Sequence, residues 1–350
     1  CVFMRKIFKL GIIIVFLFML IGCENGSLDV GEISISKTPN IGLNADTAGI
    51  NDFGFNNFAY EGLVKARDEF NVKYAILESK EISEYERNIR NLAKKSSLIF
   101  GIGFRMKDSM ENVAKNNSNK NFVLIDSTSN LANIKSIMFK NEEGAFLMGV
   151  IAGNMTKTNK IGFIGGVEAP IIEEIGTGFA YGIQVVNKDA AKDLINQKNI
   201  RYTMDFNDEE KGYMVAKELY NNGVDIIFHA AGKSGLGVFK AAKEEGKYAI
   251  GIDEDQGEKL KEYSGCILSS MIKKTDLAVY NSIEEFTKGT FKAGKDNILR
   301  LGLKEGAIDI ASSTKNIVPS EVLDIVKYYK GLIINGELTI PKTSNEVMGS

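Results

Sequence analysis

The stretch Ile50-Asn51-Asp52-Phe53-Gly54-Phe55-Asn56-Asn57 decides how this chain reads. Just before it, Ile41-Gly42-Leu43 forms the core of a short strand. Just after it, Phe55, Phe58, Ala59, Leu63, Ala66 and Phe70 recur at helical spacing. The stretch is therefore a loop between a strand and a helix, at the carboxyl edge of a sheet, where open α/β sheets bind ligands. It offers a carboxylate in Asp52, amides in Asn51 and Asn56, a joint in Gly54 and flat apolar faces in Phe53 and Phe55. Those groups suit a small, flat, hydroxylated molecule. The same residues also read as a plain helix start, with Asp52 as N-cap and Phe55 as the first core residue.

Working outward, the chain keeps alternating. Strand-like runs lie at 73–77, 97–100, 122–125 and 134–139, with helical patterns between them. Each run is short and rich in Ile, Leu, Val and Phe, as buried parallel strands require. The pattern then restarts. A helix over 143–155 leads to strand 161–164, helix 171–187, strand 200–204, helix 209–221 and strand 224–228. Helix 236–245, strands 248–252 and 267–271 and a helix over 275–288 follow. The end is less regular, with strands near 298–303 and 308–310 and a helix over 320–333. Two doubly wound halves joined near Lys140 imply two lobes with a cleft between them.

The 350 residues suffice for two such lobes once the N-terminus is set aside. With 43 basic and 45 acidic residues the net charge is −2, which gives no electrostatic case for nucleic acid. Met4-Arg5-Lys6 and Lys9 form a positive start, and Leu10 to Ile21 is an apolar run of signal-peptide length. It is short for a transmembrane helix. Leu20-Ile21-Gly22-Cys23 looks like a bacterial lipobox. Residues 1–23 are expected to be a lipoprotein signal peptide, Cys23 the lipidated residue, and 24–37 a polar tether. Two or more acyl chains anchor a protein stably. Only Cys266 then remains, so no internal disulfide is expected. His229, the one histidine, sits in Ile226-Ile227-Phe228-His229 and reads as a partly buried strand residue.

Catalytic motifs are not assembled. Gly232-Lys233-Ser234 ends like a phosphate-binding loop, but the required first glycine falls on Ile227. Gly101-Ile102-Gly103-Phe104-Arg105-Met106 lacks the third glycine of a dinucleotide fingerprint. Asp253-Glu254-Asp255-Gln256-Gly257 starts like a calcium loop, yet its glycine comes one place early. No metal site, cofactor or enzymatic activity is expected. What recurs is a polar residue just past a strand: Asp46, Asp126, Gly232, Asp253 and Lys273. Parallel strands would aim all of these at one cleft. Carboxylates accept hydrogen bonds from hydroxyls, each worth ~1.5–3 kcal/mol. Phe55 at one edge and Phe206, in Asp205-Phe206-Asn207-Asp208, at the other could sandwich a flat base, with stacking worth roughly 1–3 kcal/mol per base.

These stretches are specific enough to name a family. The chain resembles the basic membrane protein family, the purine nucleoside receptor A-like lipoproteins, over about 39–333. The resemblance rests on Asn51-Asp52-Phe53-Gly54-Phe55-Asn56, Phe122-Val123-Leu124-Ile125-Asp126 and Asn141-Glu142-Glu143-Gly144-Ala145. It continues in the run from Ala230 to Gly237, in Gly251-Ile252-Asp253-Glu254-Asp255-Gln256 and in the run from Leu268 to Lys274. The resemblance implies a substrate-binding protein of an ABC transporter. It implies a type I periplasmic-binding fold, an α/β class with two doubly wound parallel-sheet lobes joined by a three-segment hinge. The lobes would then be 38–140 plus 266–295 and 141–265 plus 296–350. Its ligand would be a purine nucleoside of the adenosine, guanosine or inosine type, with an ABC permease as partner. Carried over by position, Phe55 and Phe206 would stack the base and Asp126 would hydrogen-bond the nucleoside. Asp253 and Lys273 would hold the ribose hydroxyls, and Asp46, Asn56 and Gly232 would complete the wall, with Asp52 competing for the role of Asp46. Ile175 stands where the family often carries an aromatic. The lipid anchor would place the protein at a bacterial membrane, in the periplasm or on the cell surface. An alternative function is display outward as a binder of host matrix proteins.

Overall fold

The computed structural model describes residues 41–348. The expected signal peptide, its Cys23 and the tether lie outside the described residues. Within them, the chain builds two six-stranded sheets of matching topology.

The first half alternates β1 (Ile41–Ala45), α1 (Phe55–Phe70), β2 (Tyr74–Glu78), α2 (Tyr85–Ala93), β3 (Leu98–Ile102), α3 (Lys107–Lys115), β4 (Asn121–Ile125) and β5 (Ile134–Phe139). The second half repeats the scheme. It runs through α4 (Asn141–Met155), β6 (Ile161–Gly165), α5 (Pro170–Val186), α6 (Lys188–Ile195), β7 (Ile200–Tyr202), α7 (Glu209–Asn221) and β8 (Ile226–Ala230). Then come α8 (Gly235–Glu245), β9 (Tyr248–Asp253), α9 (Gln256–Lys259), β10 (Ile267–Lys273) and α10 (Thr275–Thr287). The chain closes through β11 (Leu299–Leu301), β12 (Ile308–Ile310), α11 (Ser320–Ile334) and α12 (Ser344–Met348).

One sheet runs β11-β5-β4-β3-β1-β2 and the other β12-β10-β9-β8-β6-β7. Pairing is parallel except where β12 lies antiparallel to β10. The strands are buried on both faces by helices: Phe122 to Ile125 and Ile226 to Phe228 are wholly inaccessible. Burying each such side chain contributes about 1.5–3 kcal/mol. Because the strands are parallel, β1, β3 and β4 of one sheet and β8, β9 and β10 of the other all end on the side where the two lobes meet.

The chain crosses between sheets three times. It leaves β5 at Lys140, leaves β10 at Lys274, and returns from β11 to β12 through 302–307. The crossings are tied together: the Lys140 amide donates to the Leu301 carbonyl and the Lys274 amide to the Ala307 carbonyl, each at 2.8 Å. Glu143 accepts the Leu303 amide at the same distance. The expected boundaries need correction here. Ile267–Lys273 pairs with β9 in the second sheet, and Leu299–Leu301 pairs with β5 in the first. The first lobe's return segment therefore runs from about 275 to 301, not 266 to 295. A buried apolar run fits the interior of either sheet, so its composition does not say which one it joins.

Two further details differ from expectation. His229 is completely buried against Phe239, and burial lowers its pKa to about 4. The strand expected at 224–228 starts two residues later. Asp225 instead ties down the loop between α4 and β6, accepting from the Thr156 hydroxyl at 2.8 Å and the Thr158 amide at 3.0 Å.

Candidate functional site

All eight residues expected to bind ligand line one cavity between the two sheets. Six of the eight come from strand ends or the loops that follow them, and Phe55 and Asn56 from the first turn of α1.

The opening of α1 is organised by Asp52, which is nearly inaccessible. Its carboxylate accepts the amides of Gly54, Asn56 and Asn57 at 2.9–3.0 Å, and the Asn56 side-chain amide at 2.8 Å. Asp52 is thus the anchor of the helix start, fully occupied within the protein. Asn56 is occupied as well. Its Nδ2 donates to Asp46 and to Asp52, both at 2.8 Å, and its Oδ1 accepts the Asp46 amide at 3.0 Å. Asn56 braces the wall rather than offering free polar atoms to it. Asp46 uses Oδ1 for Asn56 and the Ala48 amide. Burial pushes its pKa up to about 6, against the pull of those two donors and of Arg105. Of the two competing aspartates, Asp46 is the one with an oxygen to spare.

Asp126 and Asp253 hold equivalent places, at the ends of β4 and β9, the fourth strand of each matching set. Both have left-handed backbones, with φ of 65° and 72°. Such conformations cost of order 1–3 kcal/mol and persist where surrounding structure imposes them. Lys273, at the end of β10, pairs with Asp126 Oδ2. Asp126 Oδ1 is buried without a hydrogen-bond partner. Burial raises the Asp126 pKa, with Lys273 opposing. Burial also pushes Asp253 up to about 8, against Lys273 and helped by the neighbouring carboxylates. The Lys273 ammonium lies 4.7 Å from the centre of the Phe55 ring and 5.1 Å from that of Phe139, so a cation–π contact supports its position.

Phe206 comes from the loop after β7, whose counterpart in the first sheet is β2, not β1. Its ring is set by two glycines. A Cβ at Gly166 would fall 2.2–2.7 Å from the ring carbons, and Gly232, at φ +54°, sits against the Phe206 backbone and Cβ. Gly166 has no room for a side chain, and at Gly232 the left-handed backbone would strain one. The first turns of α5, which follows β6, supply Ile171, Ile172 and Ile175, an apolar wall that the sequence pattern does not single out beyond Ile175. Phe104 and Arg105 also line the cavity. They belong to the stretch that fails as a dinucleotide fingerprint. Its position just past β3, a strand end like the others, was the signal available.

The lobes touch across the cavity mouth. Gln256 Nε2 donates to the Phe53 carbonyl at 3.0 Å. Lys259 reaches Glu61 of α1 at 2.8 Å and contacts Glu254 on its own side. Phe104 meets Phe206 edge-on at 6.5 Å. Among the described residues no cluster of His, Cys, Asp and Glu is arranged to hold a metal, and no helix is long and apolar enough to cross a membrane.

Four carboxylates and two cations therefore line this space, with rings and isoleucines between them. It can take a molecule that donates hydrogen bonds and carries flat apolar surface. A phosphate would set further negative charge beside Asp46, Asp126 and Asp253.

Comparison with known proteins agrees with this architecture. A family model described as ABC transporter substrate-binding protein PnrA-like matches residues 39–344. The chain is 33% identical to a Lactococcus lactis protein named ABC transporter nucleoside-binding protein BmpA, over 92% of this chain and 95% of that one. It is 35% identical to basic membrane protein A of Borreliella afzelii, over 87% and 92%. The crystal structure of an ABC transporter solute-binding protein from Aeropyrum pernix superposes with a TM-score of 0.76 at 24% identity, covering 89% of this chain and 96% of that one. It shares the fold, two parallel-sheet lobes of the type I periplasmic-binding kind. With three-quarters and more of its length matched, the chain belongs to the PnrA-like family of ABC transporter substrate-binding proteins.

Proposed function

We propose that this protein is a lipid-anchored receptor that captures purine nucleosides in the interlobe cavity and delivers them to an ABC permease. One observation carries the reading. Phe55 and Phe206, from different sheets, line the same cavity as Asp46, Asp126 and Asp253, carboxylates with oxygens left for a ligand. Rings suit a base, and carboxylates suit a sugar's hydroxyls. The surplus of acid favours the nucleoside over the nucleotide. In this reading Phe55 and Phe206 stack the base, Asp126 hydrogen-bonds the nucleoside, and Asp253 and Lys273 hold the ribose. Closure about the three crossings buries the ligand, and the permease recognises the closed form. Cys23 carries the lipid that holds the protein at the extracytoplasmic face of a membrane. The name of the Lactococcus relative supports the ligand class.

The test is calorimetric titration of protein first freed of co-purified ligand, with adenosine, guanosine and inosine. Saturable heat with at least one nucleoside is expected. Silence with all three overturns the proposal.

A further inference from the structure

We infer that Arg105 reads the edge of the purine ring and biases this cavity toward 6-oxopurine nucleosides, such as guanosine and inosine, over adenosine. This rests on the nucleoside reading given above.

The argument is an account of donors. Lys273 pairs with Asp126 and, in the reading above, turns its remaining N–H groups to the ribose. Both N–H groups of the Asn56 amide are committed to Asp46 and Asp52. Arg105 is different: its Nη2 is buried and has no hydrogen-bond partner. Its guanidinium lies 4.5 Å over the Phe206 ring, and its charge acts on Asp46. A flat ring placed against Phe206 therefore has the guanidinium as a neighbour and Asp46 within its electrostatic reach.

A buried guanidinium N–H without an acceptor is costly, so a ligand that supplies an acceptor there gains more than usual. The 6-oxopurine edge presents O6 and N7 side by side, a pair that the planar guanidinium fork matches. The adjacent N1–H is a donor for a carboxylate such as Asp46. Adenine reverses both features. Its 6-amino group puts a donor where Arg105 needs an acceptor, and its N1 puts a lone pair toward the acid. Asp46 and Arg105 together thus specify a donor beside an acceptor in one order and not the other.

The experiment compares guanosine and adenosine on the wild-type protein and on Arg105→Met by calorimetry. Guanosine is expected to bind at least about tenfold tighter than adenosine to the wild type. In Arg105→Met that ratio should fall toward one, through loss of guanosine affinity, with adenosine within a few-fold of its original Kd. Equal binding of the two by the wild type overturns the inference, as does a ratio that survives in Arg105→Met. Should that variant not fold, 7-deazaguanosine, which keeps O6 and N1–H but has C–H in place of the N7 acceptor, carries the test on the wild type. A loss of about tenfold against guanosine supports Arg105, and equal affinity overturns it. Silence with every nucleoside would instead overturn the nucleoside reading, a distinguishable result.

Discussion

Lys273, at the end of β10 in the second sheet, pairs with Asp126, at the end of β4 in the first, and both side chains are at least nine-tenths buried. The pair therefore ties the two lobes together at the floor of the cavity. The Lys273 ammonium also lies against the rings of Phe55 and Phe139.

This pair changes what a simple truncation should do. Asp126→Ala takes the paired carboxylate away from the buried Lys273. Breaking a buried pair in this way typically costs about 3–5 kcal/mol. We expect Asp126→Ala to lower the urea midpoint clearly. The double variant Asp126→Asn, Lys273→Met should recover much of that loss, because it buries no net charge. Both should lose nucleoside affinity by well over tenfold. A urea midpoint for Asp126→Ala equal to that of the wild type would show that the pair does not hold the lobes.

Asp253 predicts a pH dependence. Burial raises its pKa to about 8, so between its unfolded pKa near 4 and pH 8 the native state binds more protons than the unfolded state. Stability must then fall as pH rises through that window. Glu142 and Glu254, both raised to about 7, act with the same sign. His229, lowered to about 4, acts oppositely but only below its unfolded pKa near 6.5. The ligand-free protein should therefore lose thermal stability from pH 6.5 to 8. Asp253→Asn should flatten that slope and raise Tm at pH 8 while weakening nucleoside binding. Hydroxyls that donate to the ionised carboxylate would also pull its pKa down, so binding near pH 7 should release protons. Calorimetry in buffers of different ionisation enthalpy measures that release. Steeper rather than flatter pH dependence in Asp253→Asn would refute the assignment.

The same residues show what could be read without coordinates. Runs such as Phe122–Ile125 announce buried parallel strands through composition alone, and a polar residue after each run marks a strand end. That logic places Asp126, Asp253 and Lys273 at strand ends, because strand direction carries their position. It could not decide which sheet Ile267–Lys273 joins, since both interiors are equally apolar. Nor could it separate the roles of Asp46 and Asp52. Each lies near the strand-to-helix loop, and only the hydrogen bonds show Asp52 spent on the helix start. Arg105 is hidden for another reason. Its stretch reads as a failed glycine motif, while its place past β3 is what brings it to the cavity. The Gly166–Phe206 contact is long-range and leaves no local pattern at all.

The mouth contacts predict a kinetic effect rather than a large change in affinity. Lys259 spans from α9 to Glu61 of α1, but the two side chains remain 36% and 47% exposed. Solvent-screened pairs of this kind contribute about 0.2–1 kcal/mol. Lys259→Met should therefore weaken nucleoside binding only about two- to fivefold. The loss should appear as faster dissociation in stopped-flow traces, because opening must break the contact while encounter does not require it. Raising salt should speed dissociation from the wild type and leave Lys259→Met less affected, since screening acts on the pair that the variant lacks. Gln256 is the stronger latch. It is fully buried, its Nε2 holds the Phe53 carbonyl, and its Oε1 holds the Ile252 amide one residue before Asp253. Gln256→Met should thus exceed Lys259→Met in its effect on dissociation, and should show no salt dependence of its own, because both of its bonds join neutral groups. Equal dissociation rates in the wild type and Gln256→Met would mean that the lobes part without breaking this contact.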